Sequence, residues 1–180
     1  MLMSSLNAND HTIGPLDAPM QLVEYGSYDC PHCRQALPIV TEVSQRYGAP
    51  LLYGYRHFPH GGVDTEPGRA ACAAEAAGLQ GKFWEMHDML LNHQAELTES
   101  NLVGHAASLG LDAQRFKSDM VSPGVVEKVR EQFQSGLDAA VRSTPTFLIN
   151  GVRHDDYWDV DTLLEALNRH AANLLVPHSF

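Results

Sequence analysis

The chain reads as an α/β domain built around a mixed sheet, and three stretches of sequence agree on this. A strand, a helix and a second strand follow one another over residues 20–58. Residues 65–141 carry helical periodicity without strand character, and a short strand, a two-residue turn and another strand then precede a closing helix. A helix between two strands carries the chain back to its starting end, so the first two strands run parallel. The later hairpin adds antiparallel strands to the same sheet.

Each element has a local reason. Residues 1–19 are polar and end in Gly14-Pro15-Leu16-Asp17-Ala18-Pro19, a turn-rich lead-in with little helix or strand signal. Residues 20–26 form an apolar run that reads as a buried strand. From Pro31 the pattern turns helical: proline suits a first turn, where its missing N–H would be unpaired anyway, and Leu37, Val40 and Tyr47 share a face with Ile39 and Val43 beside them. Pro38 removes a backbone donor and is expected to kink this helix, which Gly48 and Pro50 end. Leu51 to Phe58 alternates into the second strand. Helical segments follow at Pro67–Gly78, Lys82–Gln94, Glu99–Gly110, Asp112–Val121 and Pro123–Val141. Thr146-Phe147-Leu148-Ile149 is a short apolar strand, and Asn150-Gly151 before Val152-Arg153-His154 is a hairpin signal, because both turn positions favour positive φ. From Asp161, Leu163, Leu164, Leu167 and His170 at helical spacing mark an amphipathic helix to about Leu174.

Composition narrows the function. A chain of 180 residues suffices for one domain with a large core, here read as residues 1–180. A net charge of -10 argues against a nucleic-acid backbone or an anionic membrane surface as partner. No stretch approaches the roughly 18 apolar residues of a membrane span. Met1-Leu2-Met3-Ser4-Ser5-Leu6-Asn7 has neither a basic nor an apolar leader segment, so the expected location is the cytoplasm; had an export signal been cleaved, the protein would act outside it. Three cysteines are too few for a disulfide scaffold, and in a reducing compartment a close pair points to catalysis or a metal.

That pair is Cys30-Pro31-His32-Cys33, placed directly after the first strand and at the head of the helix. Unpaired N–H groups and the positive end of the helix dipole there favour a thiolate, the form that attacks disulfides. Cys30, nearer the helix start, reads as nucleophile, and the three-residue spacing puts both sulfurs on one helical face, so that Cys33 can resolve a mixed disulfide. Zinc would need a second close ligand pair, and none has usable spacing. His32, when charged, would favour the Cys30 thiolate, while Asp29 opposes it and is expected to be solvated and screened; Pro31 stiffens the turn. Glu24 stands in an apolar strand, where a carboxylate is costly unless protonated or paired with a lysine or arginine. Thr144-Pro145 precedes the third strand, and an X-Pro bond costs only about 0.5–1 kcal/mol to hold cis, although a strand start alone suggests trans. Cys72 reads as a small core residue, and Phe83, Trp84, His87, Leu90 and Leu91 as the core stripe of the helical insertion. His154-Asp155-Asp156 reads as a solvated turn, and His57 and His60 flank a strand end near the site without a firm role.

Together these motifs resemble the DsbA-like disulfide oxidoreductases of the thioredoxin fold. The likeness spans roughly residues 13–170 and rests on Val23-Glu24-Tyr25, the Cys-Pro-His-Cys stretch, Arg56-His57-Phe58-Pro59, Gly81-Lys82-Phe83-Trp84-Glu85-Met86-His87-Asp88, and Ser143-Thr144-Pro145-Thr146-Phe147 with Asn150-Gly151. Ser143 departs from the glycine usual in the family. The resemblance implies a four-stranded mixed sheet of order 2-1-3-4, with core segments at about 13–64 and 142–175 and the helical insertion between them. It implies that Pro145 lies beside Cys30, that Thr144 pairs with substrate main chain, and that Glu24 relays a proton from Cys33. It further implies protein or peptide thiol and disulfide substrates, a thiol redox partner and no bound cofactor. Members fused to membrane antiporters and exported members both occur, so it speaks to chemistry more than location. Two rival readings are a glutathione-dependent transferase or isomerase, which generally keeps one nucleophile at the helix start, and a binding module with a static disulfide.

Overall fold

The computed structural model describes residues 5–174, so the outermost residues of the expected 1–180 domain and of its second core segment lie outside the described residues. The sheet has five strands: β1 (His11–Ile13), β2 (Met20–Gly26), β3 (Leu51–His57), β4 (Thr146–Ile149) and β5 (Val152–Arg153), in the order β1-β3-β2-β4-β5. β2 and β3 are parallel, and β4 runs antiparallel to β2 and to β5. The four expected strands keep their expected order. The fifth corrects the reading of residues 11–13 as plain lead-in. β1 pairs antiparallel with the otherwise open edge of β3, His11 opposite Tyr55. Three residues with two β-branched side chains are too short to specify a strand alone; the free edge of β3 and nearby anchors decide it. Asp10 grips the buried Arg56 with both oxygens at 2.9 and 2.8 Å, and the Leu6 N–H donates to Gln21 Oε1 at 2.9 Å.

Strand alternation sends side chains to two covered faces. Met20, Leu22, Leu51, Tyr53, Phe147 and Ile149 pack against helix α1 (Pro31–Tyr47) and the C-terminal helix. Val23, Tyr25, Leu52 and Leu148 pack on the other face, with Leu6, Phe58, Ala139 and Val141. Because both faces are covered, β3 is buried at every position, polar residues included. α1 continues through Pro38 to Tyr47, where Gly48 ends it at φ 74°.

The insertion comprises α2 (Glu66–Gly78), α3 (Phe83–Asn92), α4 (Glu99–Ser108), α5 (Ala113–Met120) and α6 (Pro123–Asp138), each within a few residues of its expected span. Thr65, Thr98 and Asp112 cap three of these helices by accepting from the N–H three residues on. Phe83, Met86, Leu90 and Leu91 join the alanines of α2 and buried Cys72 in one core, which also takes in Cys30, Cys33, Tyr28 and Tyr55. The thiols therefore sit where the insertion meets the sheet. At the far edge Asn150 (φ 48°) and Gly151 (φ 78°) make the hairpin turn, and α7 (Val160–Leu174) closes the domain.

Candidate active site

β2 ends at Gly26, and the loop Ser27-Tyr28-Asp29 delivers Cys30 as the N-cap of α1. A Cβ at Gly26 would come 2.5 Å from the Tyr55 ring, so the strand leaves the sheet beside that ring only as glycine. The Cys30 carbonyl accepts from the N–H groups of Cys33 at 3.1 Å and Arg34 at 3.3 Å, and from Gln94 Nε2 at 2.7 Å. Gln94 also donates to the Tyr28 carbonyl at 2.9 Å, which fastens the insertion to the active-site loop. Cys30 is 4% exposed and Cys33 fully buried.

The two thiols differ widely in proton affinity. Hydrogen bonding from the Cys33 thiol outweighs burial and, with the Thr144 hydroxyl and the N–H groups of Cys33 and His32, lowers Cys30 to about 5. Cys33 is raised far above the ordinary thiol range because it is the donor in that bond, is buried, and faces Glu24. What His32 supplies is thus its main-chain N–H. Its ring is exposed, with Nδ1 3.3 Å from Gln35 Oε1 and an edge contact to Trp158. Pro31 occupies the first position of α1.

Glu24 continues the row of Met20 and Leu22 toward α1 and is 2% exposed. Its partner is the Tyr53 hydroxyl, which donates to Oε2 at 2.8 Å, where the sequence left open an ion pair. Burial raises its carboxyl to about 7 against that hydrogen bond, and the Cys30 charge adds to the rise. This is the range in which a carboxyl exchanges protons at neutral pH.

The pairing of Thr146 with Tyr25 brings the start of β4 beside the end of β2. The Thr144–Pro145 bond is cis, and the Cys30 thiol donates to the Thr144 carbonyl at 3.1 Å. Next to Pro145 a groove of about 320 Å³ is lined by Arg142, Phe147, Arg153, Asp155 and Trp158 among others. His154 and Asp155 are engaged locally, with His154 Nε2 2.7 Å from the Tyr157 carbonyl and Asp155 bound to Arg153. Among the described residues no group of three His, Cys, Asp or Glu gathers as a metal site, and no helix is long and apolar enough to cross a membrane.

Several residues escaped the sequence reading. Tyr53 and Gln94 carry no local signal, since one reaches Glu24 across strand register and the other reaches Cys30 from the insertion. Asp29, expected to be solvated, is half-buried and held by Ser27 and His60. His57, read only as flanking a strand end, is buried and pushed down by that burial, with Nε2 3.1 Å from Glu75 Oε1. Glu75 had the same signal as Glu24, a carboxylate in an apolar run, Ala73-Ala74-Glu75-Ala76.

The thioredoxin family model ("Thioredoxin") matches residues 6–169. The chain belongs to the thioredoxin family. It is 41% identical over 158 residues to the Na(+)/H(+) antiporter NhaA 1 of Salinispora arenicola, an alignment covering 88% of this chain and 24% of the antiporter. The chain thus spans about a quarter of the length of the curated relatives it matches. A thioredoxin-like oxidoreductase from Silicibacter pomeroyi superposes with a TM-score of 0.82 at 25% identity, over 92% of this chain and 94% of that one. The Wolbachia pipientis protein alpha-DsbA1 superposes with a TM-score of 0.76 at 20% identity, over 95% and 96% of the two chains, and shares the fold. This thioredoxin-family chain therefore has the DsbA-type architecture, with an all-helical insertion between β3 and β4.

Proposed function

We propose that the chain is a thiol-disulfide oxidoreductase acting on protein or peptide substrates through Cys30 and Cys33, without a bound cofactor. One observation carries the reading: Cys30 stands at the N-cap position of α1, is hydrogen-bonded by the Cys33 thiol, and is lowered to about 5, which favours the thiolate at neutral pH. In the reducing direction Cys30 attacks one sulfur of a substrate disulfide. The substrate S–S bond breaks, one substrate sulfur leaves and takes up a proton, and a mixed disulfide forms. Cys33 then loses its proton and attacks the Cys30 sulfur, which releases the second substrate thiolate and closes the Cys30–Cys33 disulfide. Two electrons pass from the cysteine pair to the substrate. Reversal of these steps is the oxidase direction.

Glu24 is the proton acceptor for the second step. Until the mixed disulfide forms, the bond to Cys30 holds the Cys33 thiol protonated. Once Cys30 is covalently engaged its charge is gone, and Cys33 can pass its proton to a carboxyl whose affinity lies near neutrality. Thr144 and Pro145 line the approach to Cys30 and are the surface against which substrate main chain lies. Stabilisation of the Cys30 thiolate makes the disulfide more oxidising. In the cytoplasm the protein runs mainly as the dithiol, restored by a thiol partner; in an oxidising compartment it runs as a disulfide donor.

Insulin reduction by the wild type and Cys30→Ser tests the reading. The variant loses turnover, and equal rates refute the proposal. Alkylation at pH 7 gives a second measure: Cys30 reacts fast, while Cys72, pushed up to about 11 by burial, stays unmodified in the folded protein.

A further inference from the structure

Beyond β3 the chain places an imidazole that the exchange steps above leave unused. His60 Nδ1 lies 2.9 Å from Asp29 Oδ2, and Nε2 lies 3.0 Å from Thr144 Oγ1. The His60 N–H donates to Ser27 Oγ at 3.3 Å, and the Ser27 hydroxyl donates in turn to Asp29. One side chain therefore ties the loop before Cys30, the exit of β3 and the loop before β4. An ionised Asp29 can only accept, so His60 Nδ1 carries the proton between them. Nε2 faces a hydroxyl that can either donate or accept, on a residue whose carbonyl is 3.1 Å from the Cys30 sulfur.

Resting on the exchange reading, we propose that His60 is a positioning residue of the thiol site. Held by Asp29, it orients the Thr144 hydroxyl beside the thiol site. The S–H bond of Cys30, whose hydrogen faces the Thr144 carbonyl, breaks with release of the proton to solvent, so that sulfur becomes thiolate and no electrons leave the site. A protonated His60 donates from Nε2 to Thr144 Oγ1, which turns the hydroxyl hydrogen toward the thiolate, while Asp29 balances the imidazolium.

This assigns Asp29 an effect opposite to its own charge. A carboxylate one residue before a thiolate disfavours it by repulsion, whereas a carboxylate that holds an imidazolium in place favours it. The two roles differ in sign, and a titration separates them. The reduced full chain is titrated by ultraviolet thiolate absorbance as wild type, His60→Phe, Asp29→Asn, Thr144→Val and the His60→Phe/Thr144→Val double variant. Each single change raises the apparent pKa of Cys30 by about one unit, equivalent to about tenfold in the thiol–thiolate equilibrium. The double variant shifts no further than the larger single one, because both act through one hydrogen bond. A downward shift in Asp29→Asn, shifts that add in the double variant, or a wild-type titration of folded His60→Phe overturns the proposal. Should His60→Phe fail to fold, the near-isosteric Asp29→Asn and Thr144→Val decide alone, and unshifted titration in both overturns it. Failure of the exchange reading shows separately, as undiminished insulin reduction by Cys30→Ser.

Discussion

Glu24 in the sheet and Glu75 in the insertion are both carboxylates in apolar segments and both nearly sealed from water, at 2% and 4% exposed. They end on opposite sides of the ordinary carboxyl range. Glu24 has one neutral donor, Tyr53, and is raised to about 7. Glu75 is also pushed up by burial, but hydrogen bonds to His11 and His57 reverse the sign, and it is held well below the usual range. Its Oε2 lies 2.8 Å from both His11 Nε2 and Lys128 Nζ. Burial makes a carboxyl sensitive to its partners, and the count and charge of those partners decide the direction. A single neutral donor leaves a carboxyl that titrates near neutrality; several basic partners make a structural anchor that joins β1, β3, α2 and α6.

The largest effect expected from this contrast is on stability. Glu75→Ala strands His57 in the core and leaves His11 and Lys128 without their shared acceptor, so urea unfolding should show a loss of about 3–5 kcal/mol. Thiolate titration of the folded fraction should be unchanged. If the variant is as stable as wild type, the anchor is dispensable and the contrast fails.

Glu24→Gln should act next, with a sign set by linkage. A carboxyl raised from about 4.5 to about 7 on folding contributes stability that is fully present below its unfolded value and lost as pH rises through its folded value. Wild type should therefore lose about 3 kcal/mol between about pH 4.5 and pH 8 that Glu24→Gln retains. Glu75 slopes the other way, contributing above its unfolded value and losing that contribution as pH falls into acid. Glu24→Gln should also slow resolution of a preformed mixed disulfide at least tenfold, with initial attack by Cys30 nearly unchanged, as rapid-mixing kinetics can resolve. Parallel stability profiles for wild type and variant refute the raised carboxyl.

Tyr53→Phe gives the smallest change. Loss of its hydroxyl removes the one bond that lowers Glu24, so the stability decline moves to higher pH, at a cost of about 1 kcal/mol near neutrality. An unmoved decline would mean that Tyr53 does not set the Glu24 proton affinity.

Much of this site could be read before any coordinates. The thiols announce themselves by position, since a cysteine pair opening a helix after a strand needs only local pattern to be seen. Glu24 stood out for the same reason, an ionisable group in an apolar strand. Its partner did not: Tyr53 is 29 positions away and reaches it through strand register. Glu75 is subtler, because a glutamate among alanines in a helix also fits an exposed face. Only the packing of α2 among the other helices of the insertion, with His57 and His11 brought against it, makes it buried, and His11 belongs to a strand that exists because β3 had a free edge.

Periodicity, turn residues and caps wrote the helices, the hairpin and the placement of Cys30 into short stretches of chain, because those features depend on neighbours a few residues apart. The fifth strand, the split between the two carboxyls, and the Asp29–His60–Thr144 bridge came from contacts between distant segments. Hydrogen bonding and electrostatics act over a few ångströms of space, and residues 29, 60 and 144 become neighbours only after the sheet has aligned the ends of β2, β3 and β4.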